Sequence, residues 1–285
     1  MELTFPTMRR VAPDGLPPYY VFDGLDPEGV AAHGVFTRRG GVSLAPFDTL
    51  NVSSAIGDDP VAVDANRDHV LATLGRPRDT LMMAGLVHGV AVARVDTSTV
   101  GEPLDGGGRY VPLVDALVTD DPAVTLLVTA ADCAQVLFLD PRRRVVGLAH
   151  AGWRGTAAGV LTATVAALRE HYGSDPADLR AAVGPCLGPC CARFSDPRRE
   201  LPAWCAPFIH GDRVDLWAMN RQQLRAAGLP PEHIGVAEVC TVCRRDLFYS
   251  HRGDRGRTGR FAAAIGLRTS MSGIAETPRR SQWTR

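Results

Sequence analysis

Residues 128–155 constrain the fold of this chain more than any other segment. They contain three short apolar runs, separated by an Asp-Pro turn and followed by a Gly-rich corner. Short runs rich in Val and Leu and bounded by Pro or Gly are typical of buried strands rather than helices. The segment therefore predicts neighbouring strands, with Cys133 at the edge of one strand and His150 at the edge of another, one strand pair apart.

Helical spacing of apolar residues predicts several helices around these strands. One begins at Asp59 and Pro60, which suit the N-cap and the first helical position, and ends at Gly75. Further helices are expected over residues 156–172, 196–208 and 214–228, and a late strand over residues 261–267. Because no internal repeat or long linker interrupts the pattern, we expect one compact domain over residues 21–267. An irregular, Pro-rich arm with an edge strand, residues 1–20, precedes it, and a mobile tail, residues 268–285, follows it.

Composition excludes several classes of function. The 285 residues have a formal net charge of zero, so no global field attracts nucleic acid or an anionic membrane. All 31 basic residues are arginine, which excludes Schiff-base and P-loop lysine chemistry. The apolar stretches are too short to span a bilayer, and the N-terminus lacks a signal-peptide core. The odd number of cysteines, seven, without an export signal predicts reduced thiols and a cytoplasmic protein.

The most informative candidate site combines His88, Cys133 and His150. One cysteine and two histidines suit zinc, and three protein ligands leave a fourth coordination position open for chemistry. The alternative is a nucleophile pair in which the imidazole of His150 stabilises a thiolate on Cys133. Both hypotheses need the same side chains close together, so the sequence leaves them open. Five other histidines lack comparable context and are expected at the surface: His33, His171, His210, His233 and His251.

A second group of cysteines could hold a structural zinc or serve as buried thiols. It consists of Cys186, Cys190, Cys191, Cys240 and Cys243. A CxxC pair with a further cysteine cluster is compatible with a structural metal site. The Gly-Pro pairs before Cys186 and Cys190 instead indicate tight turns, and we favour structural thiols.

Arginines in Gly-containing loops are candidates for binding an anion. Arg38, Arg154, Arg257 and Arg260 occupy such loops, where guanidinium groups suit bidentate contacts to phosphate or carboxylate. We favour Arg38 and Arg154, which lie nearest the candidate ligands in sequence, while a solvated surface explains the others equally well. Asn51 follows the Gly-Gly turn and would either contact an anion or hydroxyl or only shape the turn.

A set of specific motifs is spread over residues 35–267. The motifs are residues 36–38 with 40–43, 50–51, 57–60, 87–89, 131–133, 150–155, 184–186 and 258–260. Together they resemble the YfiH family, also called the multicopper polyphenol oxidase or laccase-domain family. The resemblance covers nearly the whole chain, and its ADC and HAGWRG motifs are the most specific. It implies an α+β fold, a single-domain four-layer α/β/β/α sandwich.

The same resemblance implies a function and roles for individual residues. It maps the family's metal ligands onto His88, Cys133 and His150, with zinc as cofactor; copper is less favoured because laccases need many more histidines. The implied activity is purine nucleoside phosphorolysis, with adenosine, inosine or methylthioadenosine and phosphate as substrates. Adenosine deamination accompanies it in related proteins, and Asp132 would be its general base or a structural carboxylate. Arg38 and Arg154 would neutralise phosphate, and Asn51 would contact substrate.

Two departures from the family pattern lie beside the expected ligands. Leu86 replaces a usual Gln two residues before the first ligand histidine, and Gln135 replaces a usual Pro two residues after the ligand cysteine. These changes favour one alternative, a metal-binding protein that has lost catalysis. A second alternative comes from the resemblance itself, since some bacterial relatives act as hydrolases that remove a wrongly attached amino acid from a muramyl nucleotide. Cys133 would then be the nucleophile or a ligand.

Overall fold

A computed structural model of the chain describes residues 7–269. Its strands are β1 (Arg9–Val11), β2 (Tyr19–Val21), β3 (Ala31–Phe36), β4 (Leu81–Gly85), β5 (Val92–Arg94), β6 (Glu102–Pro103), β7 (Arg109–Pro112), β8 (Ala116–Thr119), β9 (Thr125–Ala130), β10 (Ala134–Asp140), β11 (Val145–Ala151), β12 (Arg180–Val183), β13 (Ile209–His210), β14 (Arg213–Val214), β15 (Ile234–Val236) and β16 (Phe261–Leu267). Its helices are α1 (Pro60–Thr73), α2 (Trp153–Ala158), α3 (Val160–Tyr172), α4 (Pro197–Glu200) and α5 (Leu216–Ala226), with 3₁₀ turns at Arg78–Thr80, Ala203–Phe208 and Pro231–His233.

Two large mixed sheets organise these strands. The eight-stranded sheet has the order β1-β2-β3-β16-β9-β4-β7-β6, and the six-stranded sheet has the order β15-β12-β10-β11-β8-β5. Strands β13 and β14 form a separate hairpin. Consecutive strands repeatedly lie in different sheets: β4 is followed by β5, and β9 by β10, so the chain crosses between the sheets at both places.

The main core lies between the two sheets. On β10, Leu137 and Leu139 belong to the core shared with the eight-stranded sheet, while Val136 and Phe138 belong to the core on the opposite face. Successive side chains of a strand point to opposite faces, and here both faces are covered. This explains why the strands are apolar throughout instead of alternating with polar residues.

Helices cover the outer face of each sheet. Helix α3 packs on the six-stranded sheet through Val160 and Leu168, and α1 packs on the eight-stranded sheet through Val70 and Leu71. The layers are therefore helix, sheet, sheet and helix, which confirms the four-layer α/β/β/α sandwich. Across the described residues, no helix combines the length and apolar character needed to cross a membrane.

Two predicted helices differ from the structure. The helix expected over residues 156–172 is divided into α2 and α3 at Gly159, whose φ of 102° lies in the left-handed region. The helix expected over residues 196–208 is reduced to one turn, α4, followed by a 3₁₀ turn. Pro202 and Pro207 lack the backbone N–H that a continuous α-helix would use.

The N-terminal arm contains the expected edge strand, but it is more regular than expected where the structure describes it. Strands β1 and β2 pair with each other, and β2 pairs with β3, so residues 9–21 extend the eight-stranded sheet. Tyr19 stacks on Phe36 with ring centroids 5.3 Å apart, and Tyr20 is buried. The Pro-rich composition concealed this pairing. The first six residues of the arm and residues 270–285 of the expected tail lie outside the described range.

The prediction that His33 lies at the surface is wrong. His33 is part of β3 and is buried, and its Nε2 atom accepts a hydrogen bond of 3.0 Å from the backbone N–H of Phe22. Burial lowers the pKa of His33 to about 4, so the imidazole is neutral at physiological pH.

Candidate metal centre

His88, Cys133 and His150 converge at one end of the sandwich. One ligand atom from each residue can be chosen so that all three lie within 4.8 Å of one another. The Cys133 Sγ atom is 3.8 Å from Nε2 of His88. The rings of His88 and His150 are nearly perpendicular, with centroids 4.9 Å apart. The structure thus brings together the three side chains that the sequence singled out.

The sheet topology explains this convergence. Strands β10 and β11 are antiparallel neighbours, and Gln135 lies opposite His150, so Cys133 just before β10 reaches the same sheet edge. His88 lies in the connection from β4 to β5, and Cys133 lies in the connection from β9 to β10. Both connections cross from the eight-stranded to the six-stranded sheet, and they meet at the end of β11.

Gly152 leaves the space that the three side chains occupy. A Cβ atom at this position would lie 2.9 Å from Cδ2 of His88, 3.0 Å from Sγ of Cys133 and 3.4 Å from Cε1 of His150. Its φ of −62° is open to any residue, so the requirement for glycine is steric. The first glycine of the HAGWRG motif is therefore part of the site.

Asp115 is the buried carboxylate behind the cluster. Its Oδ1 atom lies 2.9 Å from Nδ1 of His150. Its two oxygens also accept the backbone N–H groups of Val87, His88 and Gly89 at 3.2, 2.9 and 2.6 Å. Burial would raise the pKa of Asp115, but these hydrogen bonds and the His150 charge lower it, which favours the carboxylate. Asp115 thereby orients one imidazole and fixes the backbone that carries the other.

The sequence analysis missed Asp115. Its only signal was a carboxylate within an apolar segment, residues 113–118, just before a buried strand. Its contact with residues 87–89 is made across more than twenty positions of sequence, and the strand pattern does not show it. Hydrogen bonding of a ligand histidine to a carboxylate is common at metal sites.

Cys133 and His150 strongly affect each other's protonation. Burial raises the pKa of the Cys133 thiol, but the charge of His150 and hydrogen bonds from both histidines outweigh it and bring the pKa to about 6. Burial lowers the pKa of His150, while Cys133 and Asp115 raise it to about 9. The site therefore favours a thiolate, which is the form required of a metal ligand and of a nucleophile.

The donor set fits zinc. Tetrahedral zinc with Zn–S of about 2.3 Å and Zn–N of about 2.0 Å places sulfur and nitrogen roughly 3.6 Å apart. The distance from Sγ of Cys133 to Nε2 of His88 is 3.8 Å. Because Nδ1 of His150 is bonded to Asp115, its Nε2 atom is the one left for a ligand bond.

Asp132 is hydrogen-bonded to the loops beside the site. Its φ is 88°, and its carboxylate accepts hydrogen bonds from Oγ1 of Thr241 and Oγ of Ser250, both at 2.6 Å, and from the backbone N–H of Arg252 at 2.7 Å. These contacts hold the carboxylate in place and occupy its oxygens. They favour the structural role over that of a general base.

The environment of Asn51 does not fit the predicted contact with substrate. Asn51 is fully buried, and its Nδ2 atom donates to the carbonyl of Ser53 and to Oδ2 of Asp58. Its Oδ1 atom accepts from the backbone N–H groups of Ser53 and Arg260. Since both donors and the acceptor are satisfied within the protein, Asn51 shapes the turn and anchors the segment that begins β16.

The four candidate arginines have different surroundings. Arg38 is largely held by the protein: it donates to the carbonyls of Asp48 and Arg245 and stacks over Tyr249. Arg154 is exposed and lies 4.2 Å over the ring of Trp153. Among the described residues, no hydrogen bond or ion pair engages its guanidinium group.

Arg260 lies within electrostatic range of the cluster. Burial lowers its pKa, while the charges of Cys133 and Asp132 act in the opposite direction. Its Nη1 atom is bound to the carbonyls of Thr258 and Gly259. Arg257, in contrast, is exposed.

The two departures from the family pattern flank the centre. Leu86 packs at the margin of the core between the sheets. Gln135 is fully buried, and its Nε2 atom donates to the carbonyl of Phe261 at 3.3 Å. The Oε1 atom of Gln135 has no partner among the described residues.

Comparisons with known proteins show the family of this chain. The sequence model of the family described as multi-copper polyphenol oxidoreductase laccase matches residues 32–268. The chain is 40% identical over 258 residues to purine nucleoside phosphorylase YlmD of Geobacillus stearothermophilus, covering 86% of this chain and 93% of that protein. It is 35% identical over 249 residues to purine nucleoside phosphorylase YfiH of Escherichia coli K12, covering 85% and 95%.

Solved structures show the same fold. The crystal structure of YlmD from Geobacillus stearothermophilus matches with a TM-score of 0.83 and 37% identity, covering 92% of this chain and 99% of that one. The crystal structure of a hypothetical YfiH protein from Bacillus licheniformis matches with a TM-score of 0.82 and 34% identity, covering 93% of this chain and all of the other.

Proposed function

The chain belongs to the multi-copper polyphenol oxidoreductase laccase family, and on that premise we propose that it is a zinc-dependent purine nucleoside phosphorylase. The proposed reaction cleaves adenosine, inosine or methylthioadenosine with phosphate to the free base and a sugar 1-phosphate. Relatives named purine nucleoside phosphorylase, which align over most of both chains, support it. In this chain, the observation that carries the proposal is the convergence of His88, Cys133 and His150 in front of Asp115.

His88, Cys133 and His150 would hold the zinc ion through Nε2, Sγ and Nε2. Zinc with three protein ligands supplies Lewis-acid polarisation of an oxygen at its remaining position. Asp115 would keep the His150 imidazole in the required tautomer and orientation. Copper is the less suitable ion here, because the laccase name implies more histidine ligands than this cluster provides.

Arginine side chains would stabilise the charge of phosphate as the glycosidic bond breaks. Arg154 is the first candidate, because its guanidinium is exposed and has free donors two residues beyond Gly152. Arg260 is the second, because the charges of Cys133 and Asp132 act on its guanidinium group. Arg38 would contribute through its remaining N–H groups while Asp48 and Tyr249 hold it in place.

Deamination of adenosine is a secondary activity in this proposal. Its expected general base, Asp132, already accepts three hydrogen bonds from the protein. We therefore expect phosphorolysis to be the faster reaction. A cytoplasmic location suits both, since all seven cysteines are free and the ligand thiol must remain reduced.

The test is base release from inosine with and without phosphate. The purified, zinc-loaded protein should produce hypoxanthine and ribose 1-phosphate only when phosphate is present. Cys133→Ala should abolish this activity together with zinc binding at the site. Cys205→Ala, which removes a buried thiol elsewhere in the fold, should retain it.

Other outcomes identify the alternatives. Hypoxanthine released without phosphate would indicate a hydrolase and contradict the phosphorylase proposal. Release of an amino acid from a muramyl nucleotide, with inosine untouched, would support the cell-wall precursor hydrolase. Bound zinc without either reaction would support a metal-binding protein that has lost catalysis.

A further inference from the structure

A second group of thiols converges away from the ligands described above. It consists of Cys190, Cys191, Cys240 and Cys243, whose sulfur atoms all lie within 4.8 Å of one another. The Sγ atom of Cys243 is 3.6 Å from Sγ of Cys190 and 3.6 Å from Sγ of Cys191. Together these four residues are the thiol cluster.

Parallel pairing of β12 with β15 creates the thiol cluster. Val183 lies opposite Val236, so the segments that follow the two strands leave the same sheet edge side by side. Cys186 and Cys240 form a bridge between these segments, with the N–H of Cys186 donating to the carbonyl of Val239. The first segment continues to Cys190 and Cys191 and the second to Cys243, and each turns back toward the other.

The spacing of the sulfur atoms matches that of a metal-bound thiolate set. Tetrahedral zinc with Zn–S of about 2.3 Å places its sulfur ligands roughly 3.8 Å apart. A disulfide would need about 2.0 Å. Cys243 is also equally distant from two partners, and a disulfide could join it to only one of them. A cation satisfies all four sulfurs at once.

Backbone donors surround the sulfur atom of Cys240. Its thiol is buried, and the backbone N–H groups of Cys243 and Gly188 donate hydrogen bonds to it. Backbone donors aimed at a sulfur atom are the outer contacts that orient a metal ligand. Cys186 differs, since it is fully enclosed beside Trp217 and burial raises its pKa.

We propose that the thiol cluster is a second metal site, which binds zinc through four cysteines and fastens the segment after β12 to the segment after β15. Four protein ligands leave no open coordination position, so the site is structural. Cys190 and Cys243 are exposed, which gives the ion a route of entry from solvent. The inference is independent of the phosphorylase proposal.

The thiol cluster is connected to the first centre through Asp132. Thr241, beside Cys240, donates to Asp132 Oδ1, and the N–H of Arg252 donates to Oδ2. The Arg252 guanidinium also donates to the carbonyl of Cys191 at 2.9 Å. Zinc at the cluster therefore restrains the loop that precedes Cys133.

The experiment counts zinc per chain in protein purified under reducing conditions. Wild type should contain two ions, one for each group of ligands. Cys133→Ala should retain one, Cys243→Ser should retain one, and the combined variant should retain none. Cys205→Ala is the matched control and should retain both, because its thiol belongs to neither group.

Cobalt provides a second measurement that does not depend on a cluster variant. Metal-free Cys133→Ala protein, with all four cluster cysteines intact, should bind one Co²⁺. Its absorption should show the strong thiolate-to-cobalt charge transfer of a tetrahedral sulfur site. Circular dichroism establishes that each variant is folded before its metal is counted.

Three results would overturn the proposal. The first is a folded Cys133→Ala protein that binds neither zinc nor cobalt. The second is a Cys243→Ser protein with as much zinc as wild type. The third is a mass lower by two hydrogens in freshly isolated protein, with a peptide joining Cys243 to Cys190 or Cys191, which would show a disulfide. Zinc lost from Cys243→Ser but not from Cys133→Ala would uphold this proposal and contradict the first centre.

Discussion

Gly152 shapes the candidate metal centre because it has no side chain. Its position is within van der Waals range of both imidazoles and the thiol, so any added carbon displaces at least one of them. We expect Gly152→Ala to weaken zinc binding by about tenfold or more, equivalent to at least ~1.4 kcal/mol. Competition with a calibrated chelator measures this in the Cys243→Ser background, where the proposed second site is removed.

The control for this change is Gly24→Ala. An added Cβ at Gly24 would meet no heavy atom within 4 Å, and its φ is not in the left-handed region. Zinc affinity should be unchanged in this variant. If Gly152→Ala binds zinc as tightly as wild type, the assigned cluster is not where the ion binds.

His33 makes the stability of the protein sensitive to acid. Its folded-state pKa is about 4 because of burial, against 6.5 for the free side chain. The folded state therefore favours the neutral form, so this stabilisation is complete above pH 6.5 and is lost as pH falls toward 4. The expected loss is about 1.4 kcal/mol per pH unit across that window.

Urea unfolding as a function of pH tests the effect of His33. His33→Gln keeps an acceptor for the N–H of Phe22 but removes the titrating group, so its free energy of unfolding should vary less between pH 6.5 and 4. His210→Gln, at an exposed position, should retain the wild-type slope. Equal slopes in all three proteins would contradict the role of His33.

At the residue scale, the candidate metal ligands could be predicted from the sequence better than the residues that surround them. Cys133 and His150 could be paired because strands of similar length around a short turn place their ends together. Asp115 could not, because its contact with residues 87–89 is made across more than twenty positions of sequence. For Asn51 the sequence left a turn role and a substrate contact open, and its hydrogen bonds within the protein favour the turn role.

Gly159 separates two helices that a continuous apolar pattern would join. Its φ of 102° redirects the chain between α2 and α3, and an added Cβ would meet no heavy atom within 4 Å. The penalty for a side chain is therefore conformational. We expect Gly159→Ala to reduce the free energy of unfolding by about 1–2 kcal/mol, as measured by urea unfolding.

The control for Gly159→Ala is again Gly24→Ala, because the φ of Gly24 is not in the left-handed region. It should change stability by less than about 0.5 kcal/mol. A Gly159→Ala protein as stable as wild type would mean that α2 and α3 can continue as one helix. That outcome would restore the prediction of a single helix over residues 156–172.

Elements with clear ends were predicted well. Helix α1 begins where Asp59 accepts a hydrogen bond from the N–H of Val61 and Pro60 occupies the first turn, as its sequence indicated. Strand β16 has the predicted bounds, Phe261–Leu267. Within residues 1–20 only one edge strand was expected, because the division into β1 and β2 depends on their pairing partners and not on their composition.

Leu137 is a typical residue of the main core, which lies between the two sheets. It lies on β10, is fully buried, and packs between the two sheets. We expect Leu137→Ala to reduce the free energy of unfolding by about 2–5 kcal/mol, through lost burial and the cavity left behind. Thermal unfolding of the metal-free protein measures this without a contribution from bound zinc.

Leu44→Ala is the matched substitution outside the core. Leu44 is 81% exposed, so its truncation should change stability by less than about 0.5 kcal/mol. Similar effects of the two substitutions would show that the packing of Leu137 between the sheets contributes little to the free energy of unfolding. The sandwich itself could be predicted only from the resemblance, because apolar strands alone do not reveal how they are distributed between two sheets.

The positions of the three ligands along the chain also set the order of events during synthesis. His88 and Cys133 lie where the polypeptide passes between the sheets, and His150 emerges from the ribosome last of the three. A nascent chain that ends before His150 lacks one of the three. For the zinc site proposed above, we therefore expect the ion to bind only after the two sheets have docked.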